Sequence, residues 1–494
     1  MTSDHLFARA RFLLPMAGKD GTATRIADGY VLTAGGTVKE MGTYSFEIGE
    51  RILRDVGHSL KVLGGKSSED GPLATEDLVQ LNGVILPGFI KAHGHDHESP
   101  LIGIAKDVPL TTWLDEAVNL FTGFLNERAD DLSKRFGRSP HLVTYLKARV
   151  DDISYGITSC MVHHCNFNKY HVAEIVEANR SAGTRMIIAV GSQDRHYDER
   201  ILDTPEEAVE RLDSALKLVK YTSRTTIVPG PDQFFSNGPE LLKALKDWAR
   251  RNKTFLHIHS SEEPGTTKWF RDTYGMTPVE YADSIGVLDA ETILAHQVNC
   301  TDNDLKLLKE RGTKVVHNPL ANTILGSGMP PLVRMLDMGI PVAVSTDGSG
   351  SADNQNIIIA AKLASQFQKA FNKDASILPA QQCLELITIE PAKVLGLNAG
   401  CLEPGRDADL IVLSLERPNL VPTRRDNVME NIIWAADGSE AQHVVAGGQI
   451  LLEDGRFTTL DAGRILRDVQ VLSELFRDWV ERERPKIKGT GVHT

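Results

Sequence analysis

Cysteine is scarce in this chain: Cys160, Cys165, Cys300, Cys383 and Cys401 are five among 494 residues. Their odd number, scatter and lack of CxxC spacing exclude a disulfide framework and a thiolate zinc cage, and predict reduced thiols. No apolar run reaches the ~20 residues of a membrane helix, so neither a transmembrane segment nor a membrane partner is expected. The N-terminal stretch MTSDHLFARARFLLPMAGKDG has a short apolar patch broken by Arg9 and Arg11, with no small-residue cleavage site behind it. It reads as uncleaved, and the chain as cytoplasmic. Basic charge is in deficit: 54 Lys and Arg against 66 Asp and Glu leave −12, a sign that repels nucleic acid and anionic lipid. Low-complexity linkers and solenoid repeats are missing too. What remains is 41% hydrophobic and 24% charged residues, over a length of about three ~150-residue domains. That is the make-up of an enzyme-sized soluble body.

Residues 1–83 are short β-type pieces such as GYVLTAGGTV and RDVGHSLKVLGG, set between Gly, Asp and Ser clusters and without a clear helix. From Val84 the rhythm changes. Eight short apolar strands, GVILPGFIKAH, GITSCMVHH, RMIIAVG, TTIVPG, TFLHIH, TILAHQ, TKVVHN and PVAVSTD, alternate with amphipathic stretches such as PELLKALKDWARRNK. This alternation predicts an α/β fold, a closed parallel (β/α)8 TIM-type barrel over residues 84–398. In residues 399–460 the β rhythm returns with GRDADLIVLS and QHVVAGGQILLEDGRF. This block is too short to fold alone, so it is expected to complete the sheet of residues 1–83 as one small β-sandwich built from both chain ends. In residues 461–494, Ile465, Val469, Leu472, Phe476 and Val480 stand at helical spacing. They predict an amphipathic helix ending before Pro485, followed by a tail.

His93 and His95 lie two apart at the end of the first barrel strand, which puts both imidazoles on one face at the C-terminal mouth where barrel enzymes work. Alone, an HxH pair is a weak signal. Three more strand ends strengthen it: TFLHIH ends in His259, TILAHQ carries His296, and PVAVSTD ends in Asp347. In a parallel barrel these ends ring one opening, so three imidazoles and a carboxylate can surround a divalent ion and leave a position for water. Glu262 follows His259 by three residues, where a carboxylate can overhang the metal as a proton shuttle. Its other reading is a helix N-terminal carboxylate favoured by the macrodipole.

The strings LPGFIKAHGH, HIHSSEE, ILAHQ, VVHNPLANTILGSGMPPL, VSTDG, PAKVLGL and EPGRDADLIVL, in this order, resemble the amidohydrolase superfamily, and within it the cytosine deaminase and triazine hydrolase branch. The resemblance runs from about Leu86 to Gly455. It implies a barrel with one catalytic metal, a flanking β-sandwich from both chain ends, and a homodimer or higher homo-oligomer. It also implies His93, His95, His259 and Asp347 as metal ligands, Glu262 as the proton shuttle, and His296 as the group that polarises the substrate or holds the nucleophilic water. No lysine stands in TTIVPG, where dinuclear branches carry a carbamylated one, which implies a mononuclear site. Three positions are expected to touch substrate: Trp113 in the lid-like PLTTWLDE, His164 of the His163–His164 pair, and Asn322 in HNPLAN, which resembles the branch's HNPxSN. Asp96, His97 and Glu98 add charge beside the ligands and read equally as a supporting network, as substrate recognition or as solvated loop. His257, one pleat below His259, reads as a core histidine.

The expected enzyme is a mononuclear metallohydrolase that deaminates a purine, pterin, pyrimidine or triazine type of heterocycle. Zinc is the default ion, and Fe2+ or Mn2+ suit the same ligands. Hydrolysis of a cyclic or linear amide or urea, or dechlorination of a chloro-heterocycle, is the rival chemistry. A catalytically silent scaffold is the rival from another class, disfavoured because every ligand is present.

Overall fold

The computed structural model describes residues 4–222 and 224–487. Eight parallel strands form the barrel: Phe89–Lys91, Ile157–His164, Arg185–Ser192, Thr225–Pro231, Leu256–Ser260, Thr292–His296, Lys314–His317 and Val342–Val344. They pair as two four-stranded arcs. The arcs meet at two seams, and each seam is at a strand end that carries a histidine. At one, His259 N–H donates to the Asp232 carbonyl at 3.2 Å. At the other, the Ser345 hydroxyl accepts from His93 N–H at 3.1 Å and donates to the His93 carbonyl at 2.7 Å. The period of two sorts the side chains. Ile90, Met161, Ile187, Ala189, Val228, Ile293, Val316 and Ala343 fill the barrel, while Val162, Ile188, Ile258, Leu294 and Val315 pack outward on the helices. Each such side chain removed from water stabilises the fold by roughly 1.5–3 kcal/mol.

The run expected as the first barrel strand divides at Gly88. Its first half, Leu81–Pro87, pairs in parallel with His5–Leu13 and antiparallel with Leu410–Ser414, inside a nine-stranded sheet made from both chain ends. Only Phe89–Lys91 enters the barrel. From Gly83 to Lys91 every residue is buried, so hydrophobicity alone shows no break. The corner needs glycine, because a side chain at Gly88 would collide with Thr158. The N-terminal region also holds a helix that its composition conceals, Phe46–Val56. Ser45 caps it by accepting from Ile48 N–H, and Ile52 and Val56 supply the buried stripe. Gly49 interrupts the pattern, yet it is required where a Cβ would strike Tyr44.

Over the barrel mouth lie Leu110–Trp113, a π-helical turn Leu114–Val118, and Asn119–Glu127. The C-terminal helix, Ala462–Ile487, braces this cover: Val469, Leu472, Phe476 and Trp479 share a core with Trp113, Phe121 and Phe124. It runs on through Pro485, whose missing N–H removes one hydrogen bond in the last turn without ending it.

Two buried histidines outside the metal cluster make the fold acid-sensitive. Burial holds the His317 imidazole down at about 3, and burial followed by His171 does the same to His141. In the unfolded chain both titrate near 6.5, so below that pH the unfolded state binds more protons. Stability is complete above ~6.5 and falls as the pH drops toward ~3, by about 1.4 kcal/mol per pH unit for each group. The melting temperature is therefore expected to decline steadily below pH 6.5, and less steeply in His141→Gln. A melting temperature unchanged between pH 7 and 5 would refute this.

Candidate metal centre

The barrel brings His93, His95, His259, His296 and Asp347 together from four strand ends, with Glu262 on the loop just beyond Ser260, the last residue of one of those strands; all but His93 line one cavity. The backbone at several of these positions is left-handed. His296 has φ 77°, Asp347 φ 73° and Ser261 φ 51°, a conformation that side-chain-bearing residues adopt only where their surroundings impose it. The turns that aim the functional groups are thus held by tertiary structure.

Hydrogen bonding sets the tautomers. His95 Nδ1 lies 3.0 Å from the His163 carbonyl, and His259 Nδ1 lies 2.6 Å from the Asp232 carbonyl. Both Nδ1 atoms therefore donate, and both Nε2 atoms carry lone pairs. Those two Nε2 atoms face each other at 3.2 Å. His93 Nε2 and His95 Nε2 stand 3.3 and 3.5 Å from Asp347 Oδ1, and His93 has no hydrogen-bond partner at either ring nitrogen among the described residues. Burial above all pushes the His93 and His95 imidazoles well below the usual histidine value, so protons do not relieve the crowding. Three lone pairs and a carboxylate oxygen converging on one point are what a divalent cation satisfies. Two nitrogens each ~2.0–2.1 Å from a tetrahedral zinc stand about 3.3 Å apart, so the donor set fits such an ion.

His296 is turned the other way. Its Nδ1 accepts from Asn322 Nδ2 at 2.9 Å, which places the proton on Nε2. That N–H points toward Glu262 Oε2 at 3.5 Å and Asp347 Oδ2 at 3.8 Å. It is a donor, not a ligand lone pair. Burial first, and then Asp347, holds the Glu262 carboxyl well above the ordinary carboxylate range. Glu262 is free of the helix-capping role: the helix Pro264–Tyr274 is capped by Glu263, which accepts from Gly265 and Thr266 N–H at 2.8 Å each.

Two expected substrate contacts lie elsewhere. His164 points outward from Ile157–His164 and packs edge-on against Tyr145, 5.3 Å between ring centres. Its neighbour His163 points inward, 4.5 Å from the His259 ring. Met161 is inside the barrel, so the period of two put His163 inside and His164 outside. Asn322 sits behind His296 as its hydrogen-bond donor and does not line the cavity. Trp113 does line it, from the cover. His257 is interior and stacks on His93 at 5.0 Å, with no hydrogen bond at either ring nitrogen among the described residues.

Sequence reasoning passed over Tyr197 and Asp232. Both line the cavity, the Tyr197 hydroxyl donates to Asp232, and the Asp232 carbonyl sets the His259 tautomer. Asp232 directly follows the fourth strand, and that position was its one available signal. Asp96 proves to be part of a buried charge network. Both its oxygens accept from Arg149, at 2.7 and 2.6 Å, and Arg149 also pairs with Asp152 at 3.0 Å. Lys91 bridges Asp152 at 2.8 Å and Gln355 at 3.0 Å, and Gln355 donates to the Asp347 carbonyl at 3.0 Å. The network ties the turn after His95 to the turn that carries Asp347.

The chain is similar to the 5'-deoxyadenosine deaminase of Methanothermobacter thermautotrophicus, 32% identical over 76% of this chain and 84% of the relative. It is also similar to the 5-methylthioadenosine/S-adenosylhomocysteine deaminase of Haloarcula marismortui, 31% identical over 78% and 85%. Among solved structures, the zinc-bound adenosine deaminase from Xanthomonas campestris superposes with a TM-score of 0.79 at 19% identity, covering 96% of this chain and 98% of the other. The zinc-complexed atrazine chlorohydrolase from Arthrobacter aurescens gives 0.77 at 22%, covering 95% and 100%. The profile of the amidohydrolase family matches residues 84–451, well over half of the sequence, and the chain belongs to that family.

Proposed function

We propose that this amidohydrolase removes the exocyclic amino group of a purine-type heterocycle, with water entering the ring carbon and ammonia leaving. The observation that carries the reading is the buried Glu262 carboxyl beside His296 Nε2–H and Asp347, against three imidazoles whose lone pairs converge. His93, His95, His259 and Asp347 would hold one divalent ion per chain, zinc most readily, with Fe2+ or Mn2+ suited to the same donors. When bound, such an ion lowers the pKa of water toward neutrality and makes hydroxide available near pH 7.

The chain's own groups do the rest. Asp347 accepts the proton that water gives up as it attacks. Glu262 delivers a proton to the ring nitrogen, so that electron density has somewhere to go; the carboxylate left behind then takes the proton of the newly formed hydroxyl and passes it to the departing amino group as the C–N bond breaks and the carbonyl forms, and the proton held by Asp347 returns Glu262 to its starting state. His296, locked as the Nε2–H tautomer by Asn322, donates to the negative charge that develops on the attacking oxygen. The cover with Trp113 keeps bulk water from the site. Deamination of a purine is supported by relatives above 30% identity that bear deaminase names, whereas the likeness to the chlorohydrolase is one of fold. The same proposal has the enzyme act as a homodimer or larger homo-oligomer in the cytoplasm, as the resemblance and the scattered cysteines imply.

The deciding experiment measures ammonia released by metal-loaded protein from purine nucleosides, free purines, pterins, pyrimidines and aminotriazines. Ammonia from a purine is expected. Chloride from a chlorotriazine, with no ammonia from any amine, would overturn the reading.

A further inference from the structure

Beside the candidate metal centre, the cavity is lined by polar groups that none of the steps above uses. Both ring nitrogens of His97, Oδ1 of Asn166 and Nε1 of Trp113 are buried there without a hydrogen-bond partner among the described residues. Buried polar atoms are seldom left unpaired in native proteins, and a cavity that collects several is shaped for a ligand that pairs them. Asn166 is held left-handed at φ 54°, directly after the second barrel strand.

Glu98 completes the wall. It is 3% exposed, and its Oε2 accepts both the N–H and the O–H of Ser351, at 3.1 Å each. The loop after Asp347 is folded around it: a side chain at Gly348 would collide with its carboxylate, and a Cβ at Gly350 would stand 3.1 Å from Glu98 Cβ. Oε1 accepts no hydrogen bond among the described residues, and Glu98 lines the cavity. Asp232, Glu262 and Asp347 line the same cavity, and among the described residues no lysine or arginine does. Anionic substrate groups therefore find no counter-charge from the chain, whereas hydrogen-bond donors find acceptors.

We propose that Glu98, with His97 and Asn166, reads the edge of the substrate ring, Glu98 Oε1 accepting a hydrogen bond from an N–H that the substrate carries besides the amino group it loses. This rests on the deaminase reading and narrows it to an uncharged amino-substituted or amino-oxo heterocycle with a second N–H donor. A plain 6-aminopurine offers no such donor on its ring edge. His97, as a neutral imidazole, supplies one donor and one acceptor, and the Asn166 amide supplies both kinds.

Ser351 makes the test sharp. In Glu98→Gln, its two donors claim the amide oxygen, which leaves the NH2 group facing the cavity. An acceptor becomes a donor in a side chain of almost unchanged shape. Metal-loaded wild type and Glu98→Gln are compared on 5'-deoxyadenosine and its 2-amino derivative by ammonia release, and on binding of both by calorimetry. Wild type is expected to favour the 2-amino compound by roughly 10–100-fold in kcat/KM, mainly through KM, as a site built around a substrate N–H does. In Glu98→Gln the preference should vanish or invert, with metal content retained. Equal kcat/KM in wild type overturns the assignment even if the variant does not fold, as does a ratio unchanged in the variant, and both leave the deaminase reading standing. Failure of the deaminase reading looks different: no ammonia from either compound, yet tighter binding of the 2-amino compound that Glu98→Gln abolishes. Binding of neither compound also overturns the assignment.

Discussion

Glu262→Gln is expected to lose about 10²–10⁴-fold in kcat while keeping its metal and its melting temperature, the range that general acid–base groups contribute. The amide is nearly isosteric with the carboxylate but cannot release a proton to the ring nitrogen or to the leaving ammonia. The loop should stay in place, because it is held by its backbone: Asn299 Nδ2 donates to the Glu262 carbonyl at 2.9 Å and Asn299 N–H to the Ser261 carbonyl at 2.9 Å. A purely structural role predicts instead a stability change of about 0.3–1 kcal/mol with turnover intact. That role belongs to Glu263, which caps the helix. Near-normal kcat in Glu262→Gln, measured beside metal content and melting temperature, would remove Glu262 from the mechanism.

His259→Ala should abolish both metal retention and turnover. It deletes one of the two lone pairs that face each other at 3.2 Å, and it leaves the Asp232 carbonyl that oriented the ring with only the backbone N–H of residue 259. Without the ion, water keeps its pKa near 15.7 instead of about 7, so the hydroxide available at neutral pH falls by many orders of magnitude. Elemental analysis of wild type should find about one divalent ion per chain. Two ions per chain, or metal content unchanged in His259→Ala, would sink the proposed ligand set. Removing the orienting partner alone is milder: groups that aim a metal ligand or a catalytic imidazole are typically worth 10–100-fold. Asn322→Ala, which frees His296 Nδ1, belongs in that range.

What the sequence by itself determined is whatever short-range periodicity encodes. Alternation of short apolar strands with amphipathic stretches marks a (β/α)8 barrel, because a strand has period two and a helix 3.6, and both patterns are local. A parallel barrel also puts every strand's C-terminal end at one mouth, so His93, His95, His259, His296 and Asp347 could be grouped before any coordinate was known. The same period of two turns His163 inward and His164 outward.

Tertiary structure decided what happens once the chain leaves a strand. There the direction of a side chain depends on single backbone angles, and Asn166, Ser261, His296 and Asp347 take left-handed ones that no local pattern announces. It also decided the pairings between distant segments. Asn322 went behind His296, Asp96 into a charge network with Arg149, and Glu98 into the loop after Asp347, 253 positions away at Ser351. The run around Gly88 split between barrel and terminal sheet for the same reason: the residues on both sides of it are buried, and it is the close approach of Thr158 that admits only glycine at the corner. Hydrophobic patterning reports that a residue is inside. Which partner it meets there is settled by packing across the whole fold.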